Sequence, residues 1–176
     1  SVYATYYCNQ LNTVKNIALS LPIPYKLYVK EHPVSVGTRT KEFYRELEKN
    51  PNIVLISSDE NMENLIKNSS GVISLTSTVG LEAVLAGKPV YVLGDVFYSY
   101  HPLCRKVKSF KELESKIKED SKDVRIPANL EDINIRFVVS YLRNTLPGGL
   151  ISAGEQKDAN DYKLIYEQLL ELVNKK

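Results

Sequence analysis

An open α/β fold, with parallel strands joined by helices, is what this sequence predicts. The first observation behind it is alternation: over the first 94 residues, short apolar runs alternate with amphipathic helical patterns in the order βαβαβαβαβ. Strands that alternate with helices are joined by crossovers and lie parallel. The second is that the runs are apolar nearly throughout, as expected when helices cover both faces of a sheet.

Residues 2–7, VYATYY, read as the first strand. In LNTVKNIALSLP, Leu11, Val14, Ile17, Ala18 and Leu21 share one helical face, and Pro22 and Pro24 stop the helix. YKLYVKE, residues 25–31, is the second strand. TKEFYRELEKN is a helix with Phe43, Tyr44 and Leu47 inward, and Asn50-Pro51-Asn52 turns the chain into the third strand, residues 53–57. Asp59 is placed to cap the helix in ENMENLIKNS, whose inward residues are Met62, Leu65 and Ile66. GVISLT, residues 71–76, is the fourth strand. VGLEAVLAG is a helix stopped by Gly87, and KPVYVLG, residues 88–94, is the fifth strand. The pattern is that of a doubly wound, Rossmann-like parallel sheet.

After Asp95 the alternation fades into C-terminal helices. SFKELESKIKED is amphipathic, its interleaved charges forming a solvated outer face. LEDINIRFVVSYLRNTL is a longer helix ended by Pro147-Gly148-Gly149. DYKLIYEQLLELVNKK is a last helix with Leu164, Ile165, Leu169, Leu172 and Val173 inward. The stretch between them is a flexible connection. The expected division is a Rossmann-like domain over residues 1–150, then a connection and helix over 151–176 that packs on it or bridges to a further domain. The abrupt opening on a strand suggests a chain cut from something longer.

Composition narrows the function. Apolar residues make up 43% of the 176 and charged residues 25%, the proportions of a globular domain. A net charge of +2 is too small for a polyanion-binding surface, so no nucleic-acid partner is expected. The two cysteines, Cys8 and Cys104, form no CxxC pattern and no zinc-binding spacing, and a reducing compartment suits them. No apolar run approaches the ~20 residues of a membrane span, and the N-terminus has no signal-peptide pattern.

Two strand ends carry the chemistry, because ligands of open α/β sheets bind beyond the carboxyl ends of the strands. The second strand ends in Lys30-Glu31-His32-Pro33, followed by a glycine loop with Arg39. The fourth ends in Thr76-Ser77-Thr78 and enters a helix through Val79-Gly80. Hydroxyls and backbone N–H groups at a helix start suit an anion, and Gly80 would allow close approach of a phosphate. His32 can donate to a phosphate oxygen, with Pro33 stiffening its loop. Glu82, one turn into the helix, suits ribose hydroxyls. Lys30 and Arg39 are auxiliary positions. Each residue also has a plainer reading: Ser77 or Thr78 as a helix cap, His32 as an ordinary strand-end histidine, Glu82 as a carboxylate favoured by the helix dipole, Arg39 and Lys41 as loop charges facing water. His101-Pro102 repeats the His-Pro pair but follows the mixed loop GDVFYSY, and ranks below His32.

KEHP, together with NPNIVLISSDENMENLIKNSSGVISLTSTVGLEAVLAGKPVYVLGDVFY, resembles the capsule polysaccharide biosynthesis family, whose members are similar to Kdo transferases and sialyltransferases that use CMP-activated sugars. The resemblance covers residues 25–100, and NTLPGG echoes the family's tail. It implies one half of a GT-B architecture, the half that binds the nucleotide-sugar donor. It carries His32, Pro33, Thr76, Ser77 and Thr78 over as nucleotide-phosphate contacts and matches Glu82 to the family's helix glutamate. The glycan or glycolipid acceptor and the catalytic acid or base would belong to an amino-terminal domain outside these residues, and no catalytic residue is assigned here. The donor is a substrate, so no cofactor is implied, and no metal is needed if His32, the hydroxyls and the helix start hold the phosphate. A cytoplasmic protein follows, with the full-length form peripheral to the inner face of the membrane. The rival readings are a CDP-glycerol-type polyol-phosphate transferase, a UDP-sugar 2-epimerase-like enzyme and a non-catalytic nucleotide-binding module.

Overall fold

The computed structural model describes residues 7, 9–32, 35–145 and 167. Helix α1 (Gln10–Ser20) begins at Asn9, whose side chain accepts a hydrogen bond from the Asn12 amide at 3.1 Å. It ends because Pro22 disfavours helical backbone at the residue before it, and Leu21 is extended (ψ 128°). The chain then enters strand β1 (Leu27–Lys30). Helix α2 (Lys41–Glu48), capped by Thr40 and buried at Leu47, carries it to strand β2 (Ile53–Ile56). The two strands pair in parallel, from Leu27 opposite Ile53 to Lys30 opposite Ile56.

Helix α3 (Met62–Asn68) leads to strand β3 (Val72–Ser74), and helix α4 (Val79–Leu85) to strand β4 (Val90–Val92). The cap of α3 corrects the sequence reading: Asn61, not Asp59, accepts the Asn64 amide, at 3.0 Å. Asp59 lies two residues too early and instead donates its amide to the Ser57 hydroxyl. Gly87 stops α4 as expected. Its φ of +79° is a left-handed conformation, and the bonds from Lys88 N–H to Ala83 O and from Gly87 N–H to Val84 O satisfy the last carbonyls.

The region after Asp95 holds a strand the sequence reading missed. Strand β5 (Cys104–Lys106) pairs in parallel with β4, Val90 opposite Cys104 and Val92 opposite Lys106. Three residues, two of them charged, give no apolar run to detect. Helix α5 (Phe110–Asp120) follows, with Ser109 as its cap. Its charges face outward as predicted except for Asp120, which is buried together with Leu113 and Ile117.

The described strands thus form two parallel sheets, β1–β2 and β3–β4–β5, joined by helical crossovers in an α/β Rossmann-like fold. The strand predicted over residues 2–7 lies outside the described residues except for Tyr7. Helix α1 serves both sheets. Ala18 packs with Leu47 and Ile53 beside Leu27 and Val29; its neighbour Ile17 packs with Tyr91, Leu93, Val107, Leu113 and Ile117.

Contacts divide the chain into Ser1–Ala128 and Asn129–Lys176. The second unit holds helix α6 (Leu130–Arg143), which has no buried residue. The sequence-based boundary at 150/151 falls outside the described residues, as do Pro147-Gly148-Gly149 and, Glu167 apart, the last predicted helix. Among the described residues no helix is long and apolar enough to cross a membrane.

One polar group sits inside the β4–α5 contact. The buried Tyr91 hydroxyl donates to Asp120 Oδ2 at 2.9 Å, and Arg105 approaches Oδ1 at 3.5 Å. Burial, then the Asp120 carboxylate, pushes the Tyr91 pKa up from its ordinary 10.0. A raised folded-state pKa contributes stability that is complete below the unfolded value and is lost as pH rises past it. The melting temperature is therefore expected to fall above about pH 10. Tyr91→Phe should melt earlier at pH 8, by roughly 1–3 kcal/mol of stability, yet lose less between pH 9 and 11. Thermal melts across that range check both.

Candidate functional site

The carboxyl ends of β1 and β3 border one cleft. It has a volume of about 1800 Å³ and is walled by residues of both sheets, with Leu27, Val29, Ile73 and Leu75 among its apolar lining. At the β1 end it is lined by Lys30, Glu31 and His32; at the β3 end by Ser74, Thr76 and Ser77. The two loaded strand ends of the sequence reading therefore both line one cavity.

At the β1 end, Glu31 is engaged: it accepts the Tyr44 hydroxyl from α2 at 2.7 Å, and that bond raises the Tyr44 pKa. This ties the strand end to α2. His32 follows, exposed, with its carbonyl accepting the Ser35 amide at 2.8 Å, which turns the chain. Pro33 lies outside the described residues. Arg39 is drawn elsewhere: it donates to Gln10 Oε1 at 2.6 Å, stacks 5.6 Å above the Phe43 ring, and does not line the cleft.

At the β3 end, side-chain bonds compete with the ladder and end the strand earlier than the apolar run predicts. Ser77 N–H donates to Ser74 Oγ at 3.1 Å, folding residues 74–77 back on themselves. Ser77 Oγ accepts the Val79 amide at 3.3 Å. A hydroxyl has one donor and two acceptor lone pairs, so that bond leaves the Ser77 O–H able to donate to a ligand. The capping and ligand-binding readings of Ser77 are thus compatible. Thr78 occupies the cap position of α4 without a hydroxyl cap bond, and neither it nor Glu82 lines the cleft. Thr76 is half-buried and does.

Gly80 has a packing role. It is buried, and a Cβ there would come within 2.7 Å of the Tyr98 ring. Tyr98 lies in a 3₁₀ turn, Phe97–Tyr100, with its ring 1% exposed and its hydroxyl 2.5 Å from Ser77 O and 3.2 Å from Ser74 Oγ. Sequence reasoning did not find Tyr98. The available signal was its partner, since Ser74 puts a hydroxyl inside an apolar run and a buried hydroxyl needs a bond. His101 is also internal, 1% exposed, with Nδ1 accepting the Leu103 amide at 3.2 Å. Cys104 is a free, half-buried thiol whose pKa burial pushes up to about 11, so it stays protonated. Among the described residues no group of three or more His, Cys, Asp or Glu side chains could hold a metal ion.

The family model described as "Capsule polysaccharide biosynthesis protein" matches residues 10–137, well over half of the chain. The chain belongs to the capsule polysaccharide biosynthesis family. Comparisons with curated proteins and with solved structures find no match. Within this capsule-family domain the match runs from the first residue of α1 into α6, so both strand ends and all of the cleft lining except Tyr7 lie inside it.

Gly80→Ala is expected to destabilise this capsule-family domain by about 1–3 kcal/mol, since the added methyl meets a ring that is itself packed. The urea midpoint of the variant measures the loss, and a midpoint equal to wild type would contradict the packing role.

Proposed function

We propose that this chain is the donor-binding part of a glycosyltransferase that builds capsule or surface polysaccharide, with a cytidine-nucleotide-linked sugar as donor. The observation that carries the reading is that His32, Thr76 and Ser77 all line one cleft, just past the carboxyl ends of β1 and β3. An imidazole N–H and two hydroxyls are donors suited to phosphate oxygens, and Lys30 adds a positive charge at the same rim.

In the transfer, an acceptor hydroxyl attacks the anomeric carbon and the bond from that carbon to the phosphate oxygen breaks. The nucleotide leaves with the electron pair, and the hydroxyl's proton passes to a base. Negative charge grows on the leaving phosphate, so donors fixed at that oxygen stabilise the transition state more than the ground state. In this reading the base and acceptor site belong to a second domain facing the cleft, and the full-length enzyme works at the cytoplasmic face of the membrane. Glu82 and Thr78 stand outside the cleft lining, so the donor contacts are assigned to His32, Thr76 and Ser77, with Lys30 auxiliary.

Calorimetric titration tests the reading. The 176 residues are expected to bind CMP and to transfer no sugar by themselves. His32→Ala should weaken CMP binding by about 1.5–3 kcal/mol, the value of a hydrogen bond to a charged group, whereas Glu82→Gln should leave it unchanged. Absence of binding to CMP, CDP and UDP alike would overturn the proposal, and a loss confined to Glu82→Gln would move the site to the α4 surface.

A further inference from the structure

We infer that Tyr98 is a positioning residue for the donor phosphate, setting the place of the Thr76 and Ser77 hydroxyls from behind the loop that carries them. The inference rests on the donor-binding reading above and adds a residue that the cleft itself does not contain, for Tyr98 is absent from the lining. The loop after β3 is held by short-range bonds: Ser77 N–H to Ser74 Oγ, Val79 N–H to Ser77 Oγ and Gly80 N–H to Ser77 O at 3.3 Å. Bonds of this kind shape a turn but do not place it relative to the rest of a fold. The Tyr98 hydroxyl reaches it from 21 residues away, bonding Ser77 O at 2.5 Å and Ser74 Oγ at 3.2 Å.

Three features make that hold rigid. The Tyr98 ring is 1% exposed, so it has one position. Gly80 faces the ring without a side chain, which lets the hydroxyl come up to the loop. The 3₁₀ turn bearing Tyr98 is closed by the buried His101, whose amide donates to Tyr98 O at 3.0 Å, while its carbonyl accepts the Cys104 amide at 2.8 Å and fixes the turn to β5. The second His-Pro pair thus serves the first site indirectly. A donor that must meet a phosphate oxygen at hydrogen-bond distance loses its value when it is displaced by about an ångström, so a residue that only fixes the loop governs phosphate affinity.

Tyr98→Phe keeps the ring and removes only the hydroxyl. With the full chain, CMP and its phosphate-free counterpart cytidine are titrated at a temperature where wild type and variant are both folded. The expected result is CMP affinity about tenfold lower with cytidine affinity unchanged, because only the phosphate is read by the displaced hydroxyls. Ser74→Ala, which removes the other partner of the hydroxyl, should show the same selective loss, and stands in if Tyr98→Phe fails to fold. Leu113→Ala, a destabilising change in α5, should bind both as wild type does. Unchanged CMP affinity in Tyr98→Phe and Ser74→Ala overturns the positioning role, as does an equal loss for CMP and cytidine. Wild-type protein that binds no CMP overturns the donor-site reading itself, and with it this role.

Discussion

A buried hydroxyl on an aromatic ring is the constraint on which the candidate site depends. The β3 strand is three residues long and its loop is built from serine and threonine, whose side chains satisfy the backbone locally but do not anchor it. Tyr98 supplies the anchor. It reaches the loop because Gly80 has no side chain, and it stays because the ring is enclosed. Had Gly80 served close approach of a phosphate, it would have faced the cleft; instead it is buried against the tyrosine, and Thr76 and Ser77 line the cavity.

The second constraint is the sharing of α1 between two cores. Adjacent residues on a helix point about 100° apart, so Ile17 and Ala18 can each enter a different cluster, one against β4 and α5, the other against β2 and α2. The ion pair of Lys15 with Glu46, at 2.8 Å, adds a tie between α1 and α2 on the outside. The β1 and β3 ends therefore face one cleft from two sheets that pack on a common helix. A cleft of this kind, apolar along its walls with a few polar groups at its rim, is the usual setting for a small-molecule site.

Membership of the capsule polysaccharide biosynthesis family agrees with this layout, since the matched region contains both strand ends and, Tyr7 apart, the cleft lining. The plain readings of the motif residues were not all rivals to the functional ones. Ser77 serves as a backbone acceptor and keeps a donor for a ligand, and His101, the second histidine of a His-Pro pair, is a core residue that holds a turn.

What the sequence determined by itself was whatever local periodicity and end signals can encode. The order of helices and strands from α1 to β4, the stops at Pro22 and Gly87, and the presence of His32, Thr76 and Ser77 just past two strand ends were legible, because each depends on residues within a few positions of one another. Tertiary structure alone decided the rest. Strand β5 is too short and too charged to stand out, and exists as a strand because β4 pairs with it. The roles of Gly80 and Tyr98 are set by a contact across 18 residues, which no local pattern contains. The placement of Arg39 on Gln10, and of Thr78 and Glu82 away from the cleft, follows from how α2 and α4 pack. A sequence specifies which groups are available to a site; the directions in which they point are settled only when the elements carrying them are packed together.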